Sequence, residues 1–419
     1  MSKRKNPYGI PKALYGANKS KHFFKENTKL EQKDIYQLAV THYDINEHNC
    51  CVKKAHVNNS ITRQLQPTCH DLDELERTVL PDPSNRVRLA SKKHFIRCYQ
   101  CHKFVRNPHP TYLFCCYKCG ALNQKYRHFS RQLTNHTALV TGGRTKLGHQ
   151  IALKLLRADC QYVIVTTRNT ESAKQVFSKY PDYDVWKDSL ILLALDLDTD
   201  NLDFSLDNLK AKLSMIKSLD ILVNCAAQTI RARDKSEQYG STSNTESEVE
   251  TNRYGDPKFV SNTHTNSWHM RLNDFQQQES EECYRINAVA PTLLIQKLTP
   301  LLKKSLVSPY IINVHAREGV FNTKKADLHL QTNMAKAALH MLTKCLARKP
   351  DLLTESGKRF AVHGCDPGWF SVDEYYEDDR PWVVPPLDEI DGAARILFPL
   401  FAKLPGCSPT RRHFYQLSY

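Results

Sequence analysis

The feature that most constrains the fold is the run TALVTGGRTKLGHQIALKLL at residues 137–156. It places an apolar strand, 137–140, directly before a glycine turn and a helix in which Leu147, Ile151 and Leu155 recur at helical spacing. A strand, a glycine turn and a helix in this order can hold a phosphate group, because the first N–H groups of the helix are free to bind an anion. We therefore predict a dinucleotide site at this turn.

The glycines of the turn meet separate requirements. Gly142 and Gly143 suit the backbone angles of a tight turn, and Gly148 lets the helix pack closely on the strand. The candidate contacts to a cofactor in this stretch are Thr141, Gly142, Gly143, Arg144, Lys146, Leu147 and Gly148.

From this strand onward, strand-like runs alternate with amphipathic helical runs, which predicts an α/β domain of the Rossmann type with a doubly wound parallel sheet. We assign this domain to residues 134–405 and place a polar insertion without periodicity at 232–267. A basic N-terminal extension (1–95) and a cysteine-rich segment (96–130) precede it, and a short tail (406–419) follows.

Further motifs follow the glycine turn in a recognisable order. Asp196 stands in LALDLD, Asn224 opens NCAA, and Asn287 stands in INAVAPTLL. With the turn, they resemble the short-chain dehydrogenase/reductase family, whose turn reads T-G-x-x-x-G-x-G; this chain has Lys146 at the middle glycine. The resemblance implies that Asp196 hydrogen-bonds the adenine and that Asn224 and Ala226 line the crevice of the sheet. It also implies that Asn287 supports a proton-relay water.

The second strand of the domain indicates which dinucleotide is bound. It ends in YVIVTTRNT, with Arg168 where an acidic residue would bind the ribose of NAD. Arg144, Lys146 and Arg168 can instead surround a 2′-phosphate, since a guanidinium matches phosphate geometry. The sequence therefore favours NADP over NAD. On the nicotinamide side, the resemblance implies a turn formed by Pro367 and Gly368.

The reaction centre departs from the family pattern. The family uses a serine together with the tyrosine and lysine of Y-x-x-x-K, whereas this chain has Thr332 at the tyrosine position and keeps Lys336, which would also hold the ribose. At the serine position the chain reads His315-Ala316. An aliphatic hydroxyl titrates far above a phenol, so Thr332 cannot replace the tyrosine as an acid. The candidate catalytic residues are Asn287, His315, Thr332 and Lys336.

Two functions follow from this departure. One is an atypical NADP-dependent oxidoreductase acting on a carbonyl or alcohol, in which His315 relays the proton. The other is a non-catalytic dinucleotide-binding protein that serves as a scaffold, a sensor or a binding module for proteins or nucleic acid. The segments NCAAQTIRAR and TNMAKAALHML are similar to an uncharacterised subgroup of the family that shares the cysteine-rich flank and lacks the tyrosine.

The cysteine-rich segment has the spacing of a zinc site. Cys98 and Cys101 form one C-x2-C pair, and Cys116 and Cys119 form a second pair after a loop that can close a tetrahedral site. We predict a structural zinc ion bound by these thiolates. His102 or Cys115 could replace one ligand, and a set of buried free thiols is the alternative.

Charge and composition suggest partners and compartment. Residues 1–133 hold 24 Lys and Arg against 10 Asp and Glu, so nearly all of the net charge of +15 lies in this third. Nucleic acid is a candidate partner for this region, and a solvated basic extension is the alternative. No secretory signal or membrane span is visible, and we expect an intracellular protein, cytoplasmic or nuclear. The sequence leaves open whether the protein forms a homo-oligomer.

Overall fold

The computed structural model describes residues 96–228, 254, 271–321, 325, 328–370 and 385–404. The predicted extension (1–95), the tail (406–419) and, apart from Tyr254, the predicted insertion (232–267) lie outside the described residues. Within the described part, no helix is long and apolar enough to cross a membrane.

The structure consists of a two-stranded hairpin followed by alternating strands and helices. In chain order these elements are β1 (Ile96–Arg97), β2 (Phe104–Val105), α1 (Tyr117–Arg127), β3 (Thr137–Thr141), α2 (Lys146–Leu156), β4 (Tyr162–Thr167), α3 (Thr170–Phe177), α4 (Tyr183–Trp186), β5 (Leu190–Ala194), α5 (Leu202–Lys212), β6 (Ile221–Asn224), α6 (Gln277–Tyr284), a π-helical segment (Arg285–Val289), α7 (Ala290–Lys303), β7 (Tyr310–Val314), α8 (Leu330–Ala347), β8 (Ala361–Cys365) and α9 (Glu389–Phe401).

Strands β3 to β8 form one parallel sheet in the order β5-β4-β3-β6-β7-β8. The chain first adds β4 and β5 on one side of β3, and then crosses to the other side for β6, β7 and β8. This order confirms the predicted doubly wound sheet of the Rossmann type. The strand order reverses between β3 and β6, which is where open α/β sheets have a crevice at the carboxyl ends of their strands.

The sheet is buried on both faces because its strands are apolar at consecutive positions. On β3, Val140 enters a core shared with Ile151 of α2 and Ile396 of α9. The adjacent Leu139 points to the opposite face, into a core that includes Leu206 of α5 and helix α7. Helices therefore cover both sides of the sheet, and the strand ends remain as the places where polar groups can meet a ligand.

The cysteine-rich segment packs on the last helix of the Rossmann domain. Arg127 at the end of α1 makes ion pairs with Asp388 at 2.7 Å and with Asp391 at 3.0 Å. The ring of Tyr126 meets the edge of Phe398 on α9 with 4.9 Å between ring centres. The segment predicted at 96–130 therefore shares a buried contact surface with α9.

Helix α2 approaches the glycine turn so closely that a side chain at Gly148 would not fit. A Cβ atom there would lie 2.3 Å from the carbonyl oxygen of Gly142. This contact is with the backbone, which cannot rotate away as a flexible side chain could. The predicted role of Gly148 in close packing of helix on strand therefore has a direct geometric reason.

We predict that Gly148→Ala destabilises the protein by about 1–3 kcal/mol, as is typical of overpacking. In an unconstrained helix the same change would stabilise by about 1 kcal/mol, so the sign distinguishes the two cases. Urea unfolding measures the difference, with Lys210→Ala on the exposed face of α5 as the control. A Gly148→Ala protein as stable as the wild type would contradict the close contact.

Candidate functional site

The candidate site lies at the carboxyl edge of the sheet, where β3 and β6 end side by side. The hydroxyl of Thr141, the last residue of β3, accepts hydrogen bonds from the N–H groups of Cys225 and Ala226, both at 3.0 Å. A Cβ atom on Gly142 would lie 2.8 Å from the Cα of Ala226. The glycine turn and the segment after β6 are therefore in direct contact.

The glycine turn is also fixed to the neighbouring strand β4. The N–H groups of Gly142 and Gly143 donate to the carbonyl of Thr166 at 3.0 and 3.2 Å. Gly142 has φ +68°, a left-handed conformation that glycine adopts without a steric penalty. The turn is thus held from both sides, by β4 and by the segment after β6.

Lys146 occupies the position at which the resemblance expects a glycine, and it keeps the backbone conformation of one. Its φ is +51°, in the left-handed region, at the first residue of α2. For a residue with a side chain this conformation costs on the order of 1–2 kcal/mol. The departure at Lys146 therefore adds a basic side chain beside the turn while the left-handed backbone remains.

Other predicted cofactor residues surround the turn. The Arg144 guanidinium donates to the carbonyl of Tyr254 at 3.2 Å. Leu147 is buried, and its Cδ1 atom lies close to Gly392 of α9. Arg168 is exposed just after β4, and none of the described acidic side chains forms an ion pair with it.

Asp196 lies beyond β5, the strand at the edge of the sheet. It is exposed, and its carboxylate accepts a hydrogen bond from the N–H of Asp198 at 3.0 Å. The carboxylate therefore stabilises its own loop and remains accessible on the same edge of the sheet as the glycine turn.

The amide of Asn287 holds the chain that follows β6. Its Oδ1 accepts from the N–H of Gln228 at 2.8 Å, and its Nδ2 donates to the carbonyl of the same residue at 2.7 Å. Asn287 is fully buried in the π-helical segment, a form that occurs frequently at functional sites. Sequence patterns do not indicate Gln228 as the partner of Asn287.

Lys336 lies in the interior, with its ammonium group at the end of β7. Its Nζ donates to the carbonyl of Val314 at 2.9 Å. Burial lowers the pKa of Lys336, and the nearby Cys225 and Cys283 partly oppose that shift. A lowered pKa makes this ammonium a better proton donor than an exposed lysine.

Thr332 lies one turn before Lys336 on α8 and is buried. Its Oγ1 is 4.0 Å from the sulfur of Cys283, whose thiol accepts from Asn287 Nδ2 at 3.1 Å. The structure thus brings Thr332 and Asn287 to the same thiol. Cys283 precedes Asn287 by four residues, so helical spacing could have identified it from the sequence.

His315 belongs to a buried chain of polar contacts behind the sheet edge. Asn224 donates to Asn313 at 2.8 Å, Asn313 donates to Thr343 at 2.8 Å, and the Nε2 of His315 lies 2.9 Å from the hydroxyl of Thr343. The ring centres of His315 and His340 are 3.9 Å apart. Burial lowers the pKa of His315 well below its usual value, so the imidazole is neutral near pH 7.

The predicted turn on the nicotinamide side follows β8. Gly368 has φ +83°, and its N–H donates to the carboxylate of Asp366 at 2.8 Å. The Cβ of Pro367 faces Gly392 of α9. Because Gly392 also faces Leu147, α9 lies against both the glycine turn and the Pro-Gly turn.

The four cysteines that were predicted to bind zinc come together. The sulfur atoms of Cys98, Cys101, Cys116 and Cys119 all lie within 4.8 Å of one another. The sulfurs of Cys101 and Cys116 are 3.7 Å apart. Cys115 is buried beside them and accepts a hydrogen bond from the amide of Asn123.

Tyr254 is a site residue that the sequence did not indicate, because it stands in the polar insertion at 232–267. It is buried, and its hydroxyl donates to Glu389 of α9 at 2.9 Å and accepts from Gln150 of α2 at 3.1 Å. With the bond from Arg144 to its carbonyl, Tyr254 supports the basic side of the glycine turn from behind.

The chain is similar to known proteins over more than half of its length. A family model described as "short chain dehydrogenase" matches residues 136–374. An uncharacterised protein of Acanthamoeba polyphaga mimivirus is 36% identical over 342 residues, which are 74% of this chain and 72% of the viral protein. The mimivirus match extends well beyond a single motif.

Similar solved structures include carbonyl reductases. Sniffer, a carbonyl reductase of D. melanogaster, is 20% identical, with 67% of this chain and 94% of Sniffer covered and a TM-score of 0.44. An NADPH-bound carbonyl reductase from chicken fatty liver is 19% identical, with 66% of this chain and 90% of the reductase covered and the same TM-score of 0.44. Because these TM-scores are low, the weight of the comparison rests on the two sequence matches.

The buried His315 predicts a pH dependence of stability. In the unfolded chain an imidazole takes up a proton near pH ~6.5, whereas the folded protein resists protonating His315, so its contribution to stability is present above that pH and is lost as the pH falls. We expect His315→Gln to reduce the slope of unfolding free energy against pH by up to about 1.4 kcal/mol per pH unit between pH ~6.5 and ~5.

Urea unfolding from pH ~8 to ~5 measures this slope. Asn313→Ala is the matched control, because it breaks the same chain of contacts and removes no titrating group. An unchanged slope in His315→Gln would mean that the imidazole accepts a proton in the folded protein.

Proposed function

The chain belongs to the short-chain dehydrogenase family, and from this premise we propose that it is an NADP-dependent oxidoreductase acting on a carbonyl or alcohol group. The observation that carries the proposal is the construction of the crevice between β3 and β6. Thr141, Gly142 and Gly148 are packed so closely that no side chain could replace either glycine. Such a surface, built from bare backbone, suits the close approach of a pyrophosphate.

The choice of NADP rests on the charges around the turn. Arg168 is exposed beyond β4, Lys146 stands at the first residue of α2, and Arg144 is held by Tyr254. We expect Arg168 to meet the 2′-phosphate, since its guanidinium is accessible and a bidentate contact fits a phosphate. Asp196 would meet the adenine from the end of β5.

We expect Arg168→Glu to weaken NADPH binding by at least about tenfold while NADH binding changes little, because a carboxylate repels the 2′-phosphate and can bind a ribose hydroxyl. Isothermal titration calorimetry with both nucleotides measures this. The control is Lys304→Glu, the same kind of charge reversal at the C-terminal end of α7. An equal loss of affinity for NADPH and NADH in Arg168→Glu would contradict the assignment of Arg168 to the 2′-phosphate.

The residues on the nicotinamide side fit a reaction centre that has fewer proton-handling groups than the family pattern. When bound, the nucleotide supplies or accepts a hydride at the carbon of the substrate. Lys336 holds the proton at its Nζ, where burial lowers its pKa, and we propose it as the proton source for the substrate oxygen. Thr332 lies one turn away on the same helix. Its hydroxyl can accept a hydrogen bond from Lys336 and donate one to the substrate without ionising.

Asn287 and His315 take positioning roles in this proposal. Asn287 fixes Gln228 by two hydrogen bonds and so fixes the wall of the crevice after β6. His315 is held neutral by burial, so it has no proton to give near pH 7 and acts through its contact with Thr343. The proton-relay role predicted for His315 is replaced in the proposal by Lys336.

A second candidate function is a dinucleotide-binding protein without catalysis, which serves as a scaffold or sensor. It is favoured by Thr332 and Ala316, which remove the proton-handling hydroxyls of the family, and by the contact of Lys336 with a backbone carbonyl. In that case Lys336 would stabilise the end of β7 and hold the ribose.

Hydride transfer distinguishes the two functions. We expect the protein to oxidise NADPH with members of a panel of aldehydes and ketones, and the absorbance of NADPH measures the rate. In Lys336→Ala we expect this rate to fall by at least about 10²-fold. Lys344→Ala, an exposed lysine on the same helix, is the matched control. A wild-type protein that binds NADPH and transfers no hydride to any panel member would favour the non-catalytic function.

We also propose that Cys98, Cys101, Cys116 and Cys119 bind a structural zinc ion. Thiolates ~2.3 Å from one ion in a tetrahedron lie ~3.8 Å apart, which agrees with the 3.7 Å between the sulfurs of Cys101 and Cys116. Four protein ligands fill the coordination sphere, so the ion would have no open position for a substrate. Metal analysis that finds no zinc in the purified protein would contradict this assignment.

A further inference from the structure

The cysteine-rich segment touches the Pro-Gly turn directly, through a tyrosine that lies between two of its cysteines. Tyr99 stands between Cys98 and Cys101, and its hydroxyl accepts a hydrogen bond from the N–H of Trp369 at 2.8 Å. Trp369 immediately follows Gly368, the residue of the turn with a left-handed backbone. The tyrosine therefore binds the backbone of the turn itself.

The turn has little room to move against this segment. A Cβ atom on Gly368 would lie 3.2 Å from the hydroxyl of Tyr99, 2.8 Å from Nη1 of Arg395 and 2.7 Å from Cδ1 of Leu387. Leu387 belongs to the same apolar cluster as Cys98, and Phe370 packs against that cluster. The residues on both sides of the turn are thus packed on the cysteine-rich segment.

The part of the segment that carries Tyr99 has little regular secondary structure. Strands β1 and β2 contain two residues each, and they form a separate small sheet. Contacts with α9 run through Tyr112, which donates to Asp391 at 2.6 Å, through Arg127 at the far end of α1, and through the ring of Tyr126 against Phe398. The loop that carries Tyr99 is closed by backbone hydrogen bonds, among them one from the N–H of Tyr99 to the carbonyl of Phe114 at 2.7 Å. A metal ion that joins the four sulfurs would hold the loop further, because small metal sites supply folding energy.

We propose that the four-cysteine segment is a positioning element of the dinucleotide site: Tyr99 holds the Pro367–Gly368 turn, and the metal bound by the four thiolates fixes Tyr99. The affinity for the nucleotide then depends on occupancy of the metal site. This inference rests on the proposed function, because it requires that the turn contact the bound nucleotide and that the cysteines bind zinc.

The test measures NADPH affinity and zinc content together, on the full-length protein. Tyr99→Phe removes the hydroxyl and keeps the ring, so we expect about tenfold weaker NADPH binding by calorimetry, with zinc content unchanged. Tyr117→Phe is the matched control, because Tyr117 lies between the second pair of cysteines and is exposed. We expect that variant to bind NADPH as the wild type does.

Reversible removal of zinc tests the coupling. We expect a chelator to weaken NADPH binding of the wild type about as much as Tyr99→Phe does, and added Zn²⁺ to restore it. In Tyr99→Phe the chelator should cause little further loss, because the two changes break the same connection and are not additive. If zinc only stabilised the segment, its removal would instead weaken NADPH binding of both proteins by the same factor.

The outcomes separate the two levels of the argument. A wild-type protein that binds NADPH, with Tyr99→Phe binding equally well, would overturn the inference and leave the proposed function intact. Full additivity of the chelator and Tyr99→Phe would also overturn it. A wild-type protein that binds zinc and no NADPH would overturn the proposed function, and the inference with it.

Discussion

The two hydrogen bonds accepted by the Thr141 hydroxyl hold together the part of the fold on which the site depends. They join the end of β3 to the backbone of Cys225 and Ala226 after β6, at the point where the strand order reverses. Next to this link, Gly142 lies against Ala226, and Gly148 of helix α2 packs on the turn. The hydroxyl satisfies two partly buried N–H donors, and a typical hydrogen bond of this kind contributes about 0.5–1.5 kcal/mol.

We propose that the site divides here into a cofactor side and a chemistry side, which differ in physical character. The cofactor side is bare backbone and accessible positive charge, as at Arg168 and Lys146. The chemistry side is buried and polar, with Asn287 bound to backbone on both sides of its amide and Lys336 enclosed at the end of β7. Burial raises the cost of charge there and lowers the pKa of Lys336.

Local patterns were sufficient to predict the glycine turn, the alternation of strands and helices, and the grouping of Cys98, Cys101, Cys116 and Cys119. Each of these features depends on residues close together in the sequence. Contacts between distant segments were not predictable. Tyr99 and Trp369 are 270 positions apart, and nothing in either segment indicates the other. Tyr254 lies in a polar stretch without periodicity, so its burial depends wholly on its partners Gln150 and Glu389. The neutral state of His315 likewise arises from tertiary burial, which a lone histidine in a sequence does not reveal.

We propose that the glycine turn and the Pro-Gly turn form two walls of one dinucleotide crevice, connected through α9. Amide hydrogen–deuterium exchange with and without NADPH tests it most directly, because exchange reports local opening of each turn separately. We expect slower exchange on adding NADPH in peptides covering residues 142–148 and in peptides covering 366–370, at the same nucleotide concentration. Protection of the first set alone, or of neither, would contradict a single site that spans both turns.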